Sequence, residues 1–197
     1  IKNAVEKYKS KKIFTYHSRC EDARSFTKNA PEGIKTHLPL FECGYVDGSM
    51  KLQDRDDIMN LFKDAKQGII SNARCLIEGV NIPTVDMVSF VSPKKSAVDI
   101  VQAAGRAMRR SDKKKFGYIF VPLIIPKDEK LETLKDDSSF KQILTIVSSL
   151  ASSDTRIVDH LRSITSGKKY RGGSPIDGLT DKKIFEKIDP NKFEDAI

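Results

Sequence analysis

The 197-residue sequence has only three cysteines and three histidines, and neither set is arranged for chemistry. Cys20, Cys43 and Cys75 stand far apart, form no CxxC pair and leave an odd thiol. That argues against a disulfide framework and fits a reducing compartment. His17, His37 and His160 are equally scattered, so nothing has the spacing of a metal site and none is expected. No apolar run approaches the length of a membrane span. No basic start, apolar stretch and small-residue cleavage site follow the first residue, which is Ile1 rather than Met. The expectation is a piece of a longer, cytoplasmic protein with no membrane partner. Two phosphate-binding signatures are also missing. There is no G-x-x-x-x-G-K-[ST] loop and no Asp-Glu pair directly ending an apolar strand; Asp56-Asp57 and Asp136-Asp137 both lie in polar surroundings. Cleavage of a nucleoside triphosphate by this chain alone is thereby excluded. No G-x-G-x-x-G follows any strand either, which counts against a self-contained dinucleotide-binding protein.

What is present is charge. The formal net charge is +8 and the pI about 9.3, with 31% charged and 39% hydrophobic residues. A soluble globular chain with an anionic partner, such as nucleic acid, fits these values. Arg106, Arg109, Arg110, Lys113, Lys114 and Lys115 are crowded together, and Lys7, Lys9, Lys11 and Lys12 form a second group. Either group can contact phosphate. For Lys113 to Lys115, in a predicted turn, a solvated loop is the competing reading. Stacking aromatics for base recognition are not evident.

Short β-rich runs alternate with helical periodicity to about residue 126, the signature of parallel strands joined by helices. Strands are expected at Ile13–Tyr16, Cys43–Val46, Ile69–Ser71, Met87–Val91 and Tyr118–Ile125. Helices are expected over Arg19–Asn29, with Ala23 and Phe26 inward, and from Ser49 through Leu52, Ile58, Met59, Leu61 and Phe62 to a terminating Gly68. A third runs from an N-cap at Ser96 to about Arg110. Beyond this, Phe140, Ile143, Leu144, Val147 and Leu150, then Ile157, Val158, Leu161 and Ile164, follow helical spacing and predict two packed helices. Gly167, Gly172, Gly173, Pro175 and Gly178 mark a linker or tail. The expected domains are 1–126, 127–165 and 166–197.

In the helix after Ser96, Gln102, Arg106 and Arg109 stand at i, i+4 and i+7 and share one face. Two permanently charged guanidinium groups one turn apart suit the charge on a transferring phosphoryl group. Gly105 clears space beside Arg106 at a helix-propensity cost of about 1 kcal/mol. The plain alternative is a basic helix end that offsets the macrodipole.

Gln102-x-x-Gly105-Arg106-x-x-Arg109 resembles motif VI of superfamily 2 helicases, and Arg74-Cys-Leu-Ile-Glu78-Gly79-Val-Asn81-Ile-Pro83 resembles their motif V. Lys12–Ser18 is similar to the strand of motif IV, and Gly48 through Arg55 to Phe62 to the segment between motifs IV and V. The order also matches, over residues 10 to 126. Val101–Arg110, Ser71–Leu76 and the helical pair look most like helicases of restriction-modification, phage-defence or mobile-element systems. The resemblance implies a RecA-like three-layer α/β sandwich, a mostly parallel sheet flanked by helices, with a C-terminal helical extension. It implies that Arg106 and Arg109 are arginine fingers, that Gln102, Gly105, Gly79 and Asn81 line the nucleotide, and that Ser18, Arg19, Ser71, Asn72 and Arg74 track a nucleic-acid backbone. ATP and Mg²⁺ would be held mainly by an N-terminal RecA-like domain of the same polypeptide, and double-stranded DNA is the expected nucleic acid. Three departures stand out. Asn81 replaces the usual aspartate, Ile77 a common Ser or Thr, and Ala103 the arginine of DEAD-box enzymes. The first two leave a second reading open, a non-catalytic nucleic-acid-binding or scaffold module with a degenerate cleft.

Overall fold

The computed structural model describes residues 1–73, 85–92, 96–109, 114, 116–122, 138–166, 168 and 173–177. Two compact units divide the chain, one of Ile1–Pro93 with Gln102–Pro122, the other of Lys94–Val101 with Leu123–Ile197.

The first unit is built on five parallel strands, β1 (Lys12–His17), β2 (Glu42–Asp47), β3 (Gly68–Ala73), β4 (Met87–Phe90) and β5 (Tyr118–Phe120), in the order β2-β3-β1-β4-β5. β1 is central. Thr15 stands between Ser71 of β3 and Ser89 of β4, and all six β1 residues are buried. Alternation then sends Ile13, Thr15 and His17 to one face and Lys12, Phe14 and Tyr16 to the other. On the first face, α1 (Lys2–Tyr8), α2 (Cys20–Phe26) and the single turn α3 (Ile34–His37) close the core. Ala4, Val5, Ile34 and Leu38 pack there with Ile13, Ile69 and Met87. On the second face lies α4 (Leu52–Asp64), whose Phe62 meets Phe14 at 5.4 Å between ring centroids. The RecA-like α/β expectation and its parallel sheet are met.

Element ends depart from the sequence reading for local reasons. α2 stops at Phe26 rather than Asn29 because the Thr27 hydroxyl and amide both turn back to the Arg24 carbonyl. α4 begins at Leu52 rather than Ser49, because Ser49 is held in the preceding turn. Its amide and hydroxyl donate to Asp47 Oδ1 at 2.7 and 2.6 Å, joined by the Met50 amide at 3.1 Å. Of the apolar residues this helix carries, Leu52 and Leu61 are 70% and 62% exposed; Met59 and Phe62 carry the buried face. Gly68 does not end α4, which closes at Asp64, but opens β3. Its role is steric, since a Cβ there would stand 2.7 Å from Phe62 Cδ2. β4 ends at Phe90 instead of Val91, because the Val91 and Ser92 amides both bend to the Tyr16 carbonyl. β5 is described as strand only over Tyr118–Phe120, and Ile125 lies outside the described residues. α1 and α3 were not anticipated.

Lys12, grouped by sequence with phosphate-contacting lysines, is buried instead. Its ammonium lies 4.7 Å from the Phe62 ring centroid and donates to the carbonyls of Phe62 and Lys63, at 3.2 Å for the latter. It therefore satisfies carbonyls that the C-terminus of α4 leaves open. Lys114, between Lys113 and Lys115, does the same elsewhere. Its ammonium donates to the Val85 carbonyl and, at 2.6 Å, to that of Ala107. Burial lowers its pKa, opposed by the charge of Asp86.

The second unit contains α6 (Ser138–Ala151) and α7 (Thr155–Thr165). Ala151, Val158 and Leu161 form its buried cluster, with Leu144, Val147, Ile157, Ile164 and Ile176 around them, so the periodic apolar residues do pack two helices together. Asp154 caps α7 by accepting from the Arg156 amide at 3.0 Å, and its carboxyl is held below the usual range by the Arg156 side chain. α5 (Ala97–Met108) carries residues of both units.

Replacing Lys12 by Met keeps the buried stem and removes the cap. The expected result is a loss of about 1–3 kcal/mol from leaving buried carbonyls unmet, read as a lower urea midpoint at unchanged m-value.

Candidate functional site

α5 presents two faces. Ala103, Ala104 and Ala107 are buried, whereas Gln102 is exposed and Gly105 and Arg106 are half-buried. At about 100° per residue, Gln102, Gly105, Arg106 and Arg109 fall within a sector of about 100°, and the three alanines fall outside it. Small buried side chains let this helix seat closely; the Gln102 side chain stays exposed, whereas Arg106 is half-buried with its Nε shielded from solvent. Ser96 accepts the Asp99 amide through its hydroxyl at 3.3 Å, as an N-cap should. The helix closes at Met108, two residues earlier than expected, so Arg109 is the first residue beyond it and is exposed. Among the described residues, a methyl group built on Gly105 meets no atom within 4 Å. Nothing there requires the glycine for packing.

The residues expected to track nucleic acid divide in two. Ser18 and Arg19 leave the carboxyl end of β1 and are exposed, with Arg19 as the residue before α2. Ser71 and Asn72 lie within β3, 0% and 1% exposed. Asn72 spends its amide on the Thr15 carbonyl at 3.0 Å, bonding β3 to β1 through a side chain. These two positions are inside the sheet rather than on a surface. Arg74, Gly79 and Asn81 lie outside the described residues.

Lys114 also locates the arginine-bearing end of α5. By holding Ala107 and Val85 together, it ties that end to the chain just before β4, at the amino edge of the sheet. Ser18 and Arg19 stand at the carboxyl edge. The two sets of candidate residues are thus at opposite ends of the strands rather than in one cluster.

The carboxyl edge is rigid and polar. Asp47 ends β2 with its carboxylate saturated by Ser49, the Tyr45 hydroxyl and the Met50 amide, and these bonds, led by Ser49, hold its pKa down at about 2. Burial and the Asp47 bond push the Tyr45 phenol up, and the Arg24 guanidinium lies 5.2 Å from the Tyr45 ring centroid. His17 ends β1 with Nε2 3.1 Å from Thr15 Oγ1 and its ring 5.0 Å from that of Phe26. Burial lowers its pKa to about 4 against a smaller opposing pull from Asp22. It is a neutral core histidine at the base of the Ser18-Arg19 loop, which sequence reasoning did not single out. Among the described residues no three His, Cys, Asp or Glu side chains group to hold a metal ion, and no helix is long and apolar enough to cross a membrane.

Helices on both faces of a parallel sheet, with a glutamine-arginine face on the helix after β4, define the RecA-like class. Residues 1–111 match the helicase conserved C-terminal domain. A probable helicase of African swine fever virus is 33% identical over 141 residues, covering 69% of this chain and 16% of its own length. An ATP-dependent Type ISP restriction-modification enzyme, LlaBIII, solved bound to DNA, is similar in structure with a TM-score of 0.70 and 29% identity. That match covers 95% of this chain and 13% of the enzyme. The C-terminal domain of the DEAD-box protein Dbp5 shares the fold at a TM-score of 0.52 and 17% identity, over 80% of this chain and 86% of that domain. The chain belongs to the helicase C-terminal domain family, the second RecA-like domain of superfamily 2 helicases. It spans only 16% of the length of the viral relative.

Because the folded-state pKa of His17 lies below its unfolded value of 6.5, the stability that depends on neutral His17 is fully present above pH 6.5 and is lost as pH falls toward 4. The shift corresponds to about 3 kcal/mol. Urea unfolding between pH 7.5 and 4 should show this slope, and His17→Gln should flatten it.

Proposed function

We propose that this chain is the C-terminal motor domain of an ATP-dependent DNA helicase or translocase. Residues 1–126 would be the motor fold, 127–165 its helical extension and 166–197 a linker. In this reading Arg106 and Arg109 are arginine fingers directed at the γ-phosphate, and Gln102, Gly105, Gly79 and Asn81 line the nucleotide. ATP and Mg²⁺ are bound chiefly by an N-terminal RecA-like domain of the parent protein. This chain alone is inactive, because it has neither the phosphate loop nor an Asp-Glu pair directly ending an apolar strand, as such hydrolysis needs. The observation that carries the proposal is the α5 face. Exposed Gln102, half-buried Arg106 and, just past the helix end, exposed Arg109 share the side of α5 away from its buried alanines, and among the described residues nothing stands where a side chain at Gly105 would go.

Domain closure on ATP and reopening after phosphate release would change the spacing of two nucleic-acid contacts and so produce movement. On this side the contact is assigned to Ser18 and Arg19, with Arg74, as sequence-independent phosphate binding. Ser71 and Asn72 are buried, and Asn72 has the supporting task of fixing β3 to β1 beneath that loop. Double-stranded DNA is the proposed track, supported by the DNA bound to the similar restriction-modification enzyme. The opposite location of the α5 arginines suits a bipartite engine, in which the nucleotide and the track are held at different ends of the sheet.

In the parent protein, Arg109→Ala is expected to lower nucleic-acid-stimulated ATP hydrolysis by roughly 10³-fold at unchanged melting temperature, because its charge is needed only as the phosphoryl group transfers. Unchanged turnover, measured by phosphate release, would exclude the finger role and favour the non-catalytic scaffold reading. Gly105→Ala separates function from folding. It should stabilise this chain by about 0.5–1 kcal/mol through helix propensity, yet depress ATP hydrolysis of the parent by filling space reserved for the nucleotide or the facing domain.

A further inference from the structure

The two outer strands of the sheet are finished differently. β5 is described over only three residues, and Tyr118 at its start stacks on Tyr8, with ring centroids 4.6 Å apart. β2 runs for six residues, Glu42–Asp47, each in register with β3, and among the described residues no strand pairs with its other side. The Glu42 amide donates to the Gln67 carbonyl at 3.0 Å. In a parallel ladder successive residues turn their backbone groups to opposite sides, so Gly44 and Val46 also face β3. Cys43 and Tyr45 therefore turn their N–H and C=O groups outward, and both residues are half-exposed. The devices that blunt such an edge are missing, since β2 has no proline, no lysine and no bulge.

α4 overhangs this edge. Phe62 stands over β1 and β3, where its ring meets that of Phe14 at 5.4 Å and its Cδ2 lies 2.7 Å from a Cβ built on Gly68. Ile58 stands over β2, its Cγ2 2.6 Å from a Cβ built on Gly44. Going from Phe62 to Ile58 is a turn of about 40° around the helix axis, from the middle of the sheet toward its edge. A further turn of about 40–100° in the same sense reaches Asp54, Leu61 and Asp57, which therefore flank the outer side of β2. Leu61 is 62% exposed, and both aspartates are exposed. Asp57 accepts the Gln53 amide at 3.1 Å, and among the described residues neither carboxylate enters an ion pair. On the opposite face of the sheet, Tyr45 carries the exposed Arg24 guanidinium 5.2 Å from its ring centroid. A strand laid along β2 thus meets two carboxylates and a leucine on one face and an arginine on the other.

We infer that the outer edge of β2 is a docking site for an extended peptide segment of another polypeptide, which adds a strand to the sheet. Its backbone bonds to Cys43 and Tyr45, and its alternate side chains, apolar and basic, face Leu61, Asp54 and Asp57. The backbone bonds supply affinity for any strand, and the α4 flank selects the sign and spacing of the side chains. A second copy of this chain is a poorer occupant. Two β2 strands paired antiparallel in one continuous sheet keep both α4 helices on the same face and turn Asp54 and Asp57 toward their own copies. The same carboxylates repel a nucleic-acid backbone. The site uses none of Arg106, Arg109, Ser18 or Arg19, so it stands or falls independently of the motor reading.

The test uses the 197-residue chain and a labelled peptide, Val-Glu-Lys-Thr-Val-Glu-Lys-Thr, which in a strand shows valine and lysine on one face and glutamate and threonine on the other. Fluorescence anisotropy should give saturable binding. Amide exchange followed by NMR should show the Cys43 and Tyr45 amides, open in the free chain, slowed at least about tenfold by the peptide. Asp54→Lys with Asp57→Lys should weaken binding at least about fivefold, and a peptide with glutamate in place of lysine should regain it on that variant. The regain separates a charge contact from a folding defect. N-methylation of the valines and lysines, or of the glutamates and threonines, should abolish binding in one case and spare it in the other, because a strand bonds to one neighbour through alternate residues. Several results overturn the inference: no saturable binding, equal loss on both methylated peptides, or no slowing at Cys43 and Tyr45. A dimer of the free chain in which those two amides are already protected also overturns it, and reassigns the edge to a second copy.

Discussion

The fold depends on β1 being paired on both sides by strands that come much later in the chain. Asn72 reaches the Thr15 carbonyl from 57 positions away, and Asp86 reaches the Lys11 amide from 75. Every other strand takes its place by reference to this one, since β3 brings β2 and β4 brings β5. A buried parallel strand has no solvent to satisfy its amides, so the two flanking ladders must form together with the helices that cover them. The side-chain bonds from Asp86 and Asn72 fix register at the start of β1 and within it. They explain why polar residues occupy positions where an apolar run would otherwise suffice.

The C-terminal ends of α4 and α5 are met by lysine ammonium groups. Lys12 meets the carbonyls of Phe62 and Lys63, and Lys114 meets that of Ala107. A capping ammonium neutralises the negative end of the macrodipole and is removed from the surface field. The electrostatic footprint available to a polyanion is therefore smaller and more localised than the net charge of +8 suggests.

The class of fold was legible because strand cores such as Ile13–Tyr16 and Ile69–Ser71 carry β-rich runs between helical periods, and the α5 face was legible from spacing alone. What escaped was decided by contacts distant in sequence. α1 buries only Ala4 and Val5, too few to give a period, and Lys9 rather than glycine takes the left-handed position at its end. Gly68 had the local context of a helix stop, but its place is set by Phe62 and the first hydrogen bond of β3. Ser71 and Asn72 are polar residues at the end of an expected strand, and it is pairing with β1 that buries them. The Tyr8–Tyr118 stack has no sequence signature, because its partners come from opposite ends of the unit.

The central place of β1 also constrains how the domain can be made. A ribosome releases this strand long before β3 and β4, so during synthesis its apolar residues wait without either neighbour. In that interval α1 and α2 can shield only one of its faces. Slow elongation between residues 17 and 87 would lengthen the exposure and favour association between nascent chains. Expression yield of this domain should accordingly depend on chaperone capacity and translation speed more than on the stability of the finished fold.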